Sequence, residues 1–161
     1  MNRTIEIAPV RKAVVVDATP PQAFEVFTAG IDRWWPKSHG IGATPITRSV
    51  IEPFEGGRWY THHEDGSDVV LGHVRVWRPA ERLVVSWEIS SEWRPDPRPA
   101  LTSEVEVRFT AEAGGRTRVE LEHRKLDRHG AGWESVRDGV DNEAGWPLYL
   151  QRYAALFGRH A

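Results

Sequence analysis

The chain has 161 residues, the length of one ordinary domain, and its charge is nearly balanced, with 21 Lys and Arg against 23 Asp and Glu. That balance excludes the concentrated cationic surface of a nucleic-acid binder. The absence of cysteine excludes disulfides, thiolate nucleophiles, zinc–thiolate sites and iron–sulfur clusters, and the aromatic content is unusual, with eight Trp against three Tyr and five Phe.

Val10 to Ala18 is rich in β-branched residues and ends at Thr19-Pro20-Pro21, which predicts a first strand. Thr19 then reads as a helix N-cap, with Pro20 at the first helical position and Gln22 placed to complete a capping box. Ala23, Phe27 and Ile31 share a helical face with Phe24 beside them. Gly30 interrupts this helix, and a second short turn from Ile31 to Trp35 stops before Pro36.

After Pro36 the pattern alternates. Strands are predicted at Thr47–Glu52, Gly57–His63, Val69–Arg78, Arg82–Ser90, Ser103–Glu112 and Thr117–Lys125, separated by Gly-rich and Pro-containing turns, as an antiparallel meander. Trp93 to Pro99, with alternate prolines, is expected to be extended and exposed. In the last two strands Val105, Val107 and Phe109 alternate with Glu104, Glu106 and Arg108, and Val119, Leu121 and His123 alternate with Arg118, Glu120 and Glu122. One face is buried and the carboxylate face meets water as cross-strand charge pairs. Trp133 to Val140 reads as a short helix. Trp146, Leu150, Tyr153 and Phe157 then form the stripe of a long amphipathic helix starting near Gly145.

These elements predict an α+β domain over residues 1–161, a curved antiparallel sheet of about six to seven strands wrapped around a long C-terminal helix, with two short helices after the first strand. The N-terminus lacks a secretory pattern and no apolar run is long enough to span a bilayer, so the expected location is cytoplasmic.

Several stretches carry a resemblance: Ala18 to Phe27, Ile31-Asp-Arg-Trp-Trp-Pro36, Glu52-Pro-Phe-Glu-Gly-Gly57, Gly72-His-Val-Arg-Val-Trp-Arg-Pro79, Arg82-Leu-Val-Val-Ser-Trp87, Val119-Glu-Leu-Glu-His123 and Gly145-Trp-Pro-Leu-Tyr-Leu150. In this order they resemble the START-like helix-grip superfamily (SRPBCC), in the group related to the activator of Hsp90 ATPase (AHSA1-like). The resemblance implies a cavity between sheet and terminal helix, used across the superfamily for lipids, sterols, polyketides and plant hormones. It also implies that Trp87, Trp59 and His123 point inward and that Trp34 and Trp35 lie near the entrance, with one of that pair facing elsewhere.

The indoles of Trp34, Trp35, Trp59, Trp77, Trp87 and Trp146 read either as core filling or as the lining of a cavity for an apolar or aromatic ligand. The candidate ligand-binding set is Trp34, Trp35, Trp59, Thr61, Trp87, His123, Trp146, Leu150 and Tyr153. His62 and His63 project to opposite faces of a strand and cannot share a metal, and no metal site or cofactor is expected. His123 and His63 are the candidates for acid–base chemistry, each against the alternative of a satisfied core histidine. His39 lies in a Gly-containing loop placed to act as a lid.

The expected function is binding of a small hydrophobic or aromatic ligand. The alternatives are an enzyme, a cyclase, dehydratase or hydrolase acting on a hydrophobic substrate, and a chaperone-interaction or stress-related module with an Hsp90-type partner. A homodimer is compatible with the sequence; nucleic acid is not an expected partner.

Overall fold

The computed structural model describes residues 8–157. Strand β1 (Val10–Val16) leads into helix α1 (Pro20–Thr28), at whose start the Thr19 backbone N–H donates to Gln22 Oε1 at 3.1 Å. Gly30 separates α1 from α2 (Ile31–Trp34), Pro36 ends the helical stretch, and a 3₁₀ turn follows at Lys37–His39. Six strands come next: β2 (Ile46–Ile51), β3 (Arg58–His63), β4 (Asp68–Arg78), β5 (Arg82–Trp87), β6 (Ser103–Glu112) and β7 (Arg116–Arg124). They form one antiparallel sheet in the order β1-β7-β6-β5-β4-β3-β2, so β1 and β2 are its edges.

The C-terminal helical region, Trp133 to Ala155, is built in two pieces: α3 (Trp133–Asp141) and α4 (Trp146–Ala155). The break falls at Gly145, where an added Cβ would sit 2.3 Å from the Val140 carbonyl oxygen, so only glycine allows this close turn between the two helices. Pro147 is accepted because it lies in the first turn of α4. Together these elements make the α+β helix-grip fold, with the buried apolar residues in one cluster reaching from Val10 to Tyr153.

Two expectations need correction. β5 ends at Trp87 rather than Ser90, because the chain beyond it bends back, with Ile89 bridging to Pro95 and the Asp96 N–H donating to the Glu88 carbonyl at 2.7 Å. The Trp93–Pro99 connection is therefore tied down, although most of it is exposed. The outer face of the sheet is also less wet than the alternation implies. Glu106 is 4% exposed, beneath Arg82, Arg108 and Arg124, and on β5 Val84 and Ser86 of the outer face are buried as fully as Leu83 and Val85 of the inner one. Arg82, Arg108 and Arg124 close over Glu106, and Ser86 is covered by its hydrogen bonds with Glu88 and the His73 N–H.

Candidate functional site

Between the inner face of β3–β5 and the α3–α4 corner lies a cavity of about 300 Å³, at the lower end of the roughly 300–1,000 Å³ typical of small-molecule sites. Its wall carries Trp35, Trp87, Trp146 and Tyr149, with Thr61 of β3, Leu71 of β4 and Ile89 completing the sheet side. His39 to Ile41 and Trp93 bound it on the loop side. Trp93 adopts a left-handed backbone (φ 60°), and its indole lies so close to Gly139 of α3 that a Cβ there would meet the ring at 2.6 Å. Among the described residues, none lining the cavity is an Asp, Glu, Lys or Arg. A larger but open depression of about 590 Å³ on the outer sheet face is lined by charged residues, each of whose carboxylates is paired with an arginine.

Four indoles form a closed circuit at the wall: Trp35–Trp59 at 5.3 Å between centroids, Trp59–Trp87 at 5.7 Å, Trp87–Trp146 at 5.7 Å and Trp146–Trp35 at 6.4 Å. All four contacts are edge-to-face, the arrangement favoured by the ring quadrupole. The N–H groups of Trp35, Trp59 and Trp87 are buried without a hydrogen-bond acceptor, an arrangement that costs about 1–3 kcal/mol per group. Beneath this circuit the remaining void is about 10 Å³, room for one water at most.

The candidate residues divide. Trp35, Thr61, Trp87 and Trp146 are brought together on the cavity wall. Trp59 stands behind them, between Trp35 and Trp87. Trp34 faces away: its Nε1 donates to the Val26 carbonyl at 3.3 Å and its ring packs on Phe27 and Tyr153. Tyr153 is fully buried, with its hydroxyl donating to the Ala23 carbonyl at 2.7 Å, and Leu150 is buried core away from the cavity wall. Trp77 packs against Phe24 of α1 at 5.0 Å.

Neither candidate acid–base histidine keeps a free nitrogen. The Trp146 indole can only donate, so His123 Nδ1, 3.1 Å away, accepts. His123 Nε2 therefore carries the hydrogen and donates to Ser103 Oγ at 2.8 Å, whose own hydrogen goes to His129 Nε2 at 2.7 Å. Burial, with neighbouring His129 adding to it, pushes the His123 pKa down to about 3, so the ring is neutral. His123 thus holds Trp146 from behind rather than reaching the cavity. His63 is fixed in the same manner. Its Nδ1 donates to the Thr44 carbonyl at 2.6 Å, so Nε2 accepts from the Thr61 hydroxyl at 2.8 Å. Thr61 Oγ1 is left as an acceptor.

Sequence reasoning missed Tyr149 and the place of Trp93 at the cavity edge. Tyr149 was legible, one turn after Trp146 on the same helical face; Trp93 was not, because its contact with Gly139 depends on a left-handed loop residue. His39, from the proposed lid loop, does border the cavity, and its Nδ1 is hydrogen-bonded to Tyr149 Oη at 3.0 Å. No three His, Asp or Glu side chains among the described residues come together as a metal site, and no helix among them is long and apolar enough to cross a membrane.

The family model described as activator of Hsp90 ATPase homolog 1-like protein matches residues 17–158. The chain belongs to this AHSA1 family. Among solved structures, this AHSA1-family chain is similar to the anthrahydroquino-γ-pyrone synthase Txn09, with 40% identity over 94% of this chain and 97% of that one and a TM-score of 0.66. It is also similar to CalC from Micromonospora echinospora, a self-sacrificing resistance protein, with 31% identity, coverage of 93% and 94%, and a TM-score of 0.68. A protein from Nitrosomonas europaea, NE0264, shares the fold at 15% identity, coverage of 93% and 94%, and a TM-score of 0.65. Comparison with curated proteins gives no match.

Proposed function

We propose that this AHSA1-family chain binds a neutral, polycyclic aromatic molecule bearing carbonyl or hydroxyl oxygens in the cavity between sheet and α4. The observation that carries this reading is the wall itself: flat, rigid indoles and a phenol around about 300 Å³, with no fully charged side chain to recognise a carboxylate or an ammonium group. Flat aromatic walls favour flat ligands through offset and edge-to-face contacts. Thr61 Oγ1 offers an acceptor for a ligand hydroxyl, and the Tyr149–His39 pair on the wall supplies further hydrogen-bonding atoms for ligand oxygens. The name of the solved structure that shares 40% identity, an anthrahydroquino-γ-pyrone synthase, supports the same class.

The test is titration of the full chain with 1,2-dihydroxyanthraquinone and, separately, with a long-chain fatty acid, followed by calorimetry and tryptophan emission. Saturable binding of the anthraquinone at least about tenfold tighter than the fatty acid, a difference of about 1.4 kcal/mol, is expected. Equal affinities, or no saturable binding of the anthraquinone, would sink the reading.

A further inference from the structure

The cavity wall holds two titratable side chains, and they touch. His39 closes the 3₁₀ turn after Pro36, while Tyr149 lies in the first turn of α4, so the pair joins the two sides of the cavity. Tyr149 Oη and His39 Nδ1 are 3.0 Å apart, and the rings tilt together at 5.5 Å between centroids. The Tyr149 ring is clamped by Trp35 at 4.5 Å and Trp146 at 5.4 Å, and burial raises its pKa, which keeps the phenol neutral. His39 is half-buried, and among the described residues its Nε2 has no hydrogen-bond partner. It differs in this from His63 and His123, both of whose ring nitrogens are engaged. Imidazole is the side chain that exchanges protons readily near neutral pH.

We infer that Tyr149 and His39 form a proton-transfer site for a hydroxyl group of the molecule held in the cavity. The inference rests on the ligand class proposed above. The ligand O–H bond breaks as its proton passes to Tyr149 Oη, while the Tyr149 O–H bond breaks and that proton passes to His39 Nδ1. The ligand becomes an aryloxide, Tyr149 is again a neutral phenol, and His39 becomes an imidazolium. Water then takes a proton from Nε2, or the reverse sequence returns one to the ligand. No electrons are gained or lost and no co-reactant besides water is needed. The product is a phenol converted to its nucleophilic form beside apolar walls. Tyr149 is the residue that touches the ligand; His39 acts through it.

Charged groups near the pair come from the 3₁₀ turn, β2 and α4. Lys37, two residues before His39, is paired with Asp32 at 2.8 Å; Arg48 lies on β2, which packs against the 3₁₀ turn; Arg152, one turn beyond Tyr149, donates to the Trp34 carbonyl at 2.8 Å. His63 stands behind Gly40 and Gly42 with both nitrogens bonded.

The experiment uses 1,2-dihydroxyanthraquinone, whose visible band shifts on ionisation, at saturating concentrations of the full chain, so that a change in affinity does not enter. Titrated from pH 5 to 9, the bound probe is expected to ionise about one pH unit or more below the free probe. Tyr149→Phe, which keeps the ring and removes the hydroxyl, and His39→Gln, which removes the proton acceptor, are each expected to return the midpoint to that of the free probe. Circular dichroism checks that both variants fold; if Tyr149→Phe does not, His39→Gln on its exposed turn decides. Binding without a lowered midpoint, or a lowered midpoint that survives the substitutions, overturns the pair and leaves the ligand class standing. Absence of saturable binding overturns the ligand class and the pair with it.

Discussion

His123 turns a buried hydrogen-bond pattern into a pH dependence. Its pKa falls from 6.5 to about 3 on folding, mainly through burial, and His129 is lowered in the same direction by burial. Between those values the unfolded chain binds a proton that the native one refuses, so stability falls as pH drops below about 6.5, by up to about 1.4 kcal/mol per pH unit for each such group. Glu106 acts lower down. Although burial opposes its charge, hydrogen bonds from Arg82, Arg108 and Arg124 bring it from 4.5 to about 2, so its contribution is present above about 4.5 and is lost as pH falls toward 2. Urea unfolding at pH 7, 6 and 5 is therefore expected to show declining stability in the parent chain and a shallower decline in His123→Gln; parallel slopes would contradict the assignment. That His123 shares the apolar face of β7 was legible from alternation alone. That it is held rather than free was not, because Ser103 and Trp146 reach it from twenty residues before and twenty-three after.

Two glycines of the strand and helix layers predict opposite outcomes. A Cβ at Gly72 would stand 1.8 Å from the backbone oxygen of Ser86, so Gly72→Ala must prise β4 from β5, at an expected cost of about 3 kcal/mol or more in denaturant unfolding. A Cβ at Gly139 meets only the outer edge of the Trp93 indole, on an exposed loop. Gly139→Ala also gains helix propensity worth up to about 1 kcal/mol. It is expected to keep or raise stability while pushing Trp93 off α3, read as greater acrylamide quenching of tryptophan emission and faster release of bound anthraquinone. Unchanged quenching would show that Trp93 does not gate the cavity. Apart from the end of β5, strands and helices of these lengths were readable from period and punctuation. The α3–α4 corner, which sets how far Trp146 and Tyr149 stand from the sheet, was not, because it rests on a backbone approach at Gly145 that hydrophobic spacing does not encode.

For the molecule as a whole, the seven-stranded sheet with sequential neighbours follows from alternating segments joined by short turns, with one longer connection between β5 and β6, and with β1 closing onto β7 as the one long-range pairing. The N-terminal strand finds its place because Val10, Val14 and Val16 face the same interior as Val119 and Leu121. Sequence gives the inventory of large side chains inside such a sheet but not the space they leave. Of the nine residues expected at a ligand, four border the cavity, Trp35, Thr61, Trp87 and Trp146, while Trp34 and Tyr153 pack against α1. The interior histidines have full hydrogen-bond complements, and the proton-transfer pair inferred above, Tyr149 and His39, lies instead at the cavity edge.

The indole circuit also makes the protein an optical antenna. With Trp34 joined to Trp35 at 5.8 Å, five indoles sit within 6.4 Å of a neighbour, close enough for excitation to migrate among them before emission. Light absorbed anywhere in the circuit is then lost to a quencher at any point of it. Emission anisotropy is expected to be low under 280 nm excitation and to recover at the red edge of the absorption band, where transfer fails; an anisotropy independent of excitation wavelength would contradict the close packing. Quenching by an absorbing ligand would consequently report occupancy of the whole circuit, and removing one tryptophan would not locate the ligand beside it.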